Sequence, residues 1–172
     1  MTMNPVIAYE KNIYFHSKFH YITSWITHED NYLIWRYLYF LRREEAASNK
    51  LTEYYWRRRK NDLGAKLGII IYAGCCGKGL RIWHYGSTII SGDAKLGENC
   101  TFHGQACIGN DGQDTASPVI GNNVDIGVGA KIIGNITIAD HVRIGAGAVV
   151  TKSCLEEGAT LVGVPARPIQ KK

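Results

Sequence analysis

The sequence predicts a mainly β protein, a parallel β-helix of six-residue repeats with an α-helical N-terminal region, and three observations carry that prediction. A six-residue period runs through the C-terminal half. All 19 glycines lie at or after Gly64, while 14 of the 18 Phe, Trp and Tyr residues lie before it. Between Asp30 and Leu63 the apolar residues recur at helical spacing instead of alternating. The expected division is a helical region over residues 1–65 and a β-helix domain over residues 66–172, with a projecting loop at 109–118 and a C-terminal tail.

The first elements are helices. A less regular helical piece is expected within residues 5–27. From Asp30 to Ala47, Leu33, Tyr37, Phe40 and Leu41 share one side, with Asp30 or Asn31 placed to cap the helix. A second helix is expected over Lys50 to Leu63, where Leu51, Tyr54, Tyr55 and Arg58 recur together and Gly64 follows as a stop. The string from Tyr54 to Lys60 mixes aromatics with three arginines, a composition that can bind nucleic acid. Aromatics at helical spacing more often pack on a neighbour while arginine stems cover apolar surface, and that is the reading adopted.

After Gly68 the period changes to six. In register from Ile120 the chain reads IGNNVD, IGVGAK, IIGNIT, IADHVR, IGAGAV and VTKSCL. Upstream, ISGDAK, LGENCT and FHGQAC begin at residues 90, 96 and 102. An aliphatic or aromatic first position and a small or β-branched fifth mark short strands that bury one side chain and then turn, three to a coil. The register breaks twice. Thr88 and Ile89 are two extra residues before Ile90, and GNDGQDTASP after Ile108 reads as a projecting loop with six residues inserted.

Composition narrows the function. With 20 Lys plus Arg against 15 Asp plus Glu, the net charge of +5 is mild, and a nucleic-acid partner is not indicated. Five cysteines, with no CxxC pair, support neither a disulfide framework nor a zinc site, which points to a reducing, cytoplasmic setting. No secretory leader is legible, and Tyr32 to Leu41 is too short to span a bilayer, so no integral membrane segment is expected.

His84 and His103 are the leading chemical residues. The count across the first break places them on the same face of successive coils, about 4.8 Å apart, beside the loop. His141 falls at a turn, and His16, His20 and His28 belong to the aromatic N-terminal region. Cys100, Cys107 and Cys154 occupy small-residue positions, where a thiol packs and stays inert. The GxG runs at Gly77 and Gly127 lack the βαβ setting of a dinucleotide site.

GLRIWHYGSTII at 79–90, IGVGAKIIGNITI at 126–138, IGAGAVV at 144–150 and the closing GVPARPI at 163–169 together resemble the hexapeptide-repeat acyltransferases. The likeness is to the branch similar to serine acetyltransferase, and the segment YYWRRRKNDLG looks like the helical preface of members found in bacterial surface-polysaccharide biosynthesis. This resemblance implies a left-handed β-helix, a homotrimer with active sites between subunits, and acetyl-CoA as co-substrate with no metal. It implies His84 as the general base. It maps CoA contacts onto Val128, Gly129 and Ala146, with Lys152 and Arg167 meeting the nucleotide phosphates.

The acceptor side departs from that family pattern. Trp83 stands where serine acetyltransferase has Asp, Ala116 and Ser117 stand where it has Arg-His, and its His-orienting carboxylate aligns with Ile69. Asp93, Asp111, Asp114 or a backbone carbonyl could orient His84 instead. With those charges missing and an indole beside the base, the expected acceptor is the hydroxyl of a sugar, nucleotide sugar or surface-polysaccharide precursor, held by Trp83, Tyr85, His103 and Asp111. Serine O-acetylation for cysteine biosynthesis is the alternative. A non-catalytic scaffold, and metal-dependent hydration using several His ligands, are readings from other classes.

Overall fold

The structure is a computed structural model that describes residues 4–113 and 115–169. Helices α1 (Pro5–Tyr14), α2 (Lys18–Thr27), α3 (Asp30–Glu45) and α4 (Lys50–Leu67) form the N-terminal region. Asn4, Ser17 and Asn49 cap α1, α2 and α4 through side-chain oxygens that accept from Val6, His20 and Thr52 N–H groups. At α3 the N-cap is Glu29, not Asp30 or Asn31, and its side chain makes no capping bond. Its carboxylate instead accepts from the Ser24 and Thr27 hydroxyls of α2, at 2.7 and 3.1 Å.

Gly64 does not stop the last helix. α4 continues to Leu67, and Gly68, at φ 67°, provides the left-handed C-cap. Gly64 serves close packing: a Cβ there would lie 2.5 Å from the Ile69 carbonyl oxygen and 2.9 Å from the Tyr37 ring.

Beyond Gly68 the chain visits three sheets in rotation. The first holds β1 (Ile69–Ile71), β3 (Thr88–Ile90), β6 (Cys107–Gly109), β9 (Lys131–Ile133) and β12 (Val149–Val150). The second holds β4 (Lys95–Leu96), β7 (Val119–Ile120) and β10 (Thr137–Ile138). The third holds β2 (Arg81–Ile82), β5 (Thr101–Phe102), β8 (Asp125–Ile126), β11 (Arg143–Ile144), β13 (Thr160–Gly163) and β14 (Ala166–Pro168). All pairings are parallel except β13 with β14, where GVPARPI turns back as an antiparallel hairpin.

The first residue of each repeat points inward. Ile82, Phe102, Ile126 and Ile144 stack in one column, and Ile90, Ile108, Ile132 and Val150 in another, all buried. Burying each such side chain is worth roughly 1.5–3 kcal/mol. The pairing also measures the breaks. Ile126 and Ile144 are partners 18 residues apart, whereas Phe102 and Ile126 are 24 apart, so six residues are inserted in the loop. Ile82 and Phe102 are 20 apart, which is the two-residue slip.

A stack of parallel strands leaves its first coil with unpaired backbone groups, and the helices supply their partners. Ile71 N–H donates to the Tyr37 hydroxyl at 3.0 Å, and Lys60 Nζ donates to the Ile71 carbonyl at 2.9 Å. Ile82 N–H donates to the Tyr14 hydroxyl at 2.8 Å. Arg42 donates to the carbonyls of Cys76 and Gly77 at 2.9 and 2.6 Å. Each of the three faces is thus met by at least one anchor, and the first by two. Burial pushes the phenol pKa values of Tyr14 and Tyr37 well above their ordinary value. Burial opposes the charge of Arg42, but hydrogen bonds and charge from Glu10, with Glu45 adding to them, outweigh it and raise its pKa.

Candidate active site

The turn after β2 places Trp83, His84 and Tyr85 on the surface at the corner between the third and first sheets. A ladder of backbone hydrogen bonds descends this corner. Gln105 N–H donates to Gly86 O at 3.1 Å, Gly129 N–H to Gly104 O at 3.1 Å, and Gly147 N–H to Val128 O at 2.8 Å. His84, Val128, Gly129 and Ala146 are therefore brought to one edge. Gly127 permits the tight stacking there, since a Cβ on it would lie 2.6 Å from Ala146 N. Lys152 and Arg167 meet at the far end, where both line a cavity of about 280 Å³ with Val150 and Leu161.

His103 does not stand beside His84. Ile82 pairs with Phe102, so His103 lies next to Trp83, and Gly104 is the residue next to His84. The rings of Trp83 and His103 stack with centroids 6.3 Å apart and planes at 20°. His103 Nε2 lies 2.7 Å from Asp125 Oδ1. A carboxylate only accepts, so Nε2 carries the proton and Nδ1 is left free. Arg81, two residues before Trp83 on the same outward face, sets its guanidinium carbon 3.6 Å from the centre of the indole ring.

Neither Asp93 nor Asp111 forms a hydrogen bond with the ring of His84. Among the described residues no side chain hydrogen-bonds the His84 ring. Asp111 accepts from Gln113 N–H at 3.0 Å within the exposed loop, Asp93 receives no contact from His84, and Asp114 lies outside the described residues. Arg81 and Asp125 are the residues that sequence reasoning missed. Each holds the sixth position of its repeat, just before the buried aliphatic residue, and finding Asp125 opposite Thr101 requires the six-residue insertion to be subtracted first.

His141 occupies a left-handed turn at φ 60°, as a corner residue. Burial pushes the Cys100 thiol up to about 11, with Cys100 fully enclosed. Among the described residues no group of three or more His, Cys, Asp or Glu is gathered to hold a metal. A larger cavity of about 620 Å³ between α4 and β1 is lined by Glu44, Lys60, Ile70 and Tyr72 and contains none of the candidate residues. No helix among the described residues is long and apolar enough to cross a membrane.

Residues 117–152 match the family described as bacterial transferase hexapeptide, six repeats. The chain is 36% identical over 129 residues to a serine acetyltransferase of Helicobacter pylori, covering 73% of this chain and 75% of that protein. It is 36% identical over 107 residues to a serine acetyltransferase of Synechococcus elongatus, covering 60% of this chain and 43% of that one. It thus spans less than half of that relative's length. The crystal structure of Neisseria gonorrhoeae serine acetyltransferase superposes with a TM-score of 0.74 at 24% identity, over 96% of this chain and 66% of that one, which shows the fold.

These relatives overturn the expectation of a glycan acceptor, since they are serine acetyltransferases, and they lend no support to the polysaccharide branch. The physical ground for that expectation also fails. The Trp83 indole stays 40% exposed but is shared: Arg81 lies over its ring and His103 stacks beside it. Nor is the surface around Trp83 without charge: Arg81 lies over its ring, and Asp125 pairs with the His103 that stacks beside it.

Proposed function

Because the chain belongs to the hexapeptide-repeat transferases, we propose that it is an acetyl-CoA-dependent serine O-acetyltransferase. The single observation that carries this reading is the 36% identity to a serine acetyltransferase over 73% of this chain. The left hand of the coil belongs to the same reading. So do a trimer with sites between subunits, the division at residues 65 and 66, and a cytoplasmic setting in keeping with five free thiols.

In this reading His84 takes the proton from the serine hydroxyl as its oxygen attacks the thioester carbonyl. The C–S bond then breaks as the tetrahedral intermediate collapses, and His84 returns the proton to the CoA sulfur. General-base help of this kind contributes about 10²- to 10⁴-fold. In the same reading pantetheine lies along the glycine-rich corner at Val128, Gly129 and Ala146, and the nucleotide phosphates meet Lys152 and Arg167, which line one cavity.

The test is release of free CoA thiol with acetyl-CoA and L-serine. Serine-dependent release that falls by about 10²-fold or more in His84→Ala is the expected result. Equal release by wild type and variant would remove His84 from the mechanism.

A further inference from the structure

Resting on the serine reading, we infer that Arg81 and Asp125 form the two ends of the acceptor site, Arg81 taking the carboxylate of the amino acid and Asp125 its ammonium. The two residues lie in one outward row of the third sheet, in which Thr101 pairs with both. Two strand spacings separate them, about 9.6 Å between backbones. One small zwitterion with a charge-assisted hydrogen bond at each end fits such a gap.

Each end is prepared. The guanidinium of Arg81 rests on the Trp83 ring, 3.6 Å from its centre, and among the described residues no carboxylate pairs with it. Asp125 spends one oxygen on His103 Nε2–H at 2.7 Å, which fixes the carboxylate and leaves Oδ2 for a cation. The side chains of His103 and Asp125 are 44% and 46% exposed, so the site is open to a solute. The Trp83–His103 stack forms the wall between the ends, and His84 follows Trp83 directly in the chain.

This assignment also gives the departures from the family pattern a function. The charges absent at position 83 and before Pro118 are replaced from the outward row of the third sheet. Arg143 follows Asp125 in that row, one coil farther from His84, and serves as a control.

The experiment is steady-state kinetics with acetyl-CoA and three acceptors: L-serine, ethanolamine, which lacks the carboxylate, and 3-hydroxypropionate, which lacks the ammonium. Arg81→Gln and Asp125→Asn are each expected to raise the KM for L-serine by about 10- to 100-fold. Both should leave the KM for acetyl-CoA unchanged, and Arg143→Gln should leave serine kinetics unchanged. Arg81→Gln should further erase the preference for L-serine over ethanolamine, and Asp125→Asn the preference over 3-hydroxypropionate, which a merely structural role would not do. If wild type acetylates L-serine and either variant keeps the wild-type KM for it, the inference is overturned while the serine reading stands. If wild type does not acetylate L-serine at all, the reading itself fails and takes this inference with it.

Discussion

At the scale of single residues, environment decides which titratable groups react. Cys100 is enclosed, and its thiol pKa of about 11 keeps it protonated and inert at neutral pH. Iodoacetamide is therefore expected to leave Cys100 unmodified in native protein and to alkylate it after denaturation; modification in the native state would contradict its placement. Asp140 shows the opposite shift. It accepts from the backbone and side-chain amides of Asn122, at 2.7 and 3.1 Å, and these bonds hold its carboxyl below the usual value. A depressed folded-state pKa contributes stability above the unfolded value of about 3.9, and that contribution is lost as pH falls through the folded-state pKa. Asp140→Ala should lower the urea midpoint at pH 7 and match wild type near the acid limit, whereas an equal deficit at both pH values would contradict the hydrogen-bonded carboxylate. The packed position of Cys100 was legible in the sequence because the period alone places it. The Arg81–Trp83–His103–Asp125 cluster was not, since it joins four side chains across two register breaks whose lengths only strand pairing fixes.

At the scale of elements, the helical region and the sheets depend on each other. The six-residue period revealed each buried aliphatic position, but nothing in it shows that Tyr14, Tyr37, Lys60 and Arg42 would satisfy the first coil's backbone. Those bonds link residues distant in sequence, from helices whose aromatic and basic composition reads as ordinary packing. Arg42→Met strands the buried Glu10 carboxylate as well as two carbonyls, and should cost about 3–5 kcal/mol in chemical denaturation. Adding Glu10→Leu should recover part of that loss, because the unpaired charge is gone. A loss below about 1 kcal/mol for Arg42→Met would show that the anchor is dispensable. Phe102→Ala, in the middle of the third sheet's inner column, should cost about 3–5 kcal/mol by leaving a cavity.

At the scale of the whole molecule, the trimer reading and the acceptor reading meet. Ile70 and Ile89 are exposed on the outer face of the first sheet, 51% and 42%, beside the corner that carries His84. On that reading, sedimentation should give about three times the 19.1 kDa chain mass. Ile89→Asp should shift it toward monomer and lower acetyl transfer together, while a wild-type monomer with full activity would contradict sites shared between subunits. Fold class was readable from the repeat because six-residue periodicity is written in local residue choice. The acceptor was misread because it was inferred from a few positions near His84, whereas the likeness to a serine acetyltransferase runs over 73% of this chain. The most direct test of the central claim is a single competition. L-serine and a panel of sugars and nucleotide sugars are offered together with acetyl-CoA, and the acetylated species is identified by mass spectrometry and NMR. O-acetyl-L-serine as the product, absent with His84→Ala, is the predicted result; an acetylated sugar with serine left intact would contradict it.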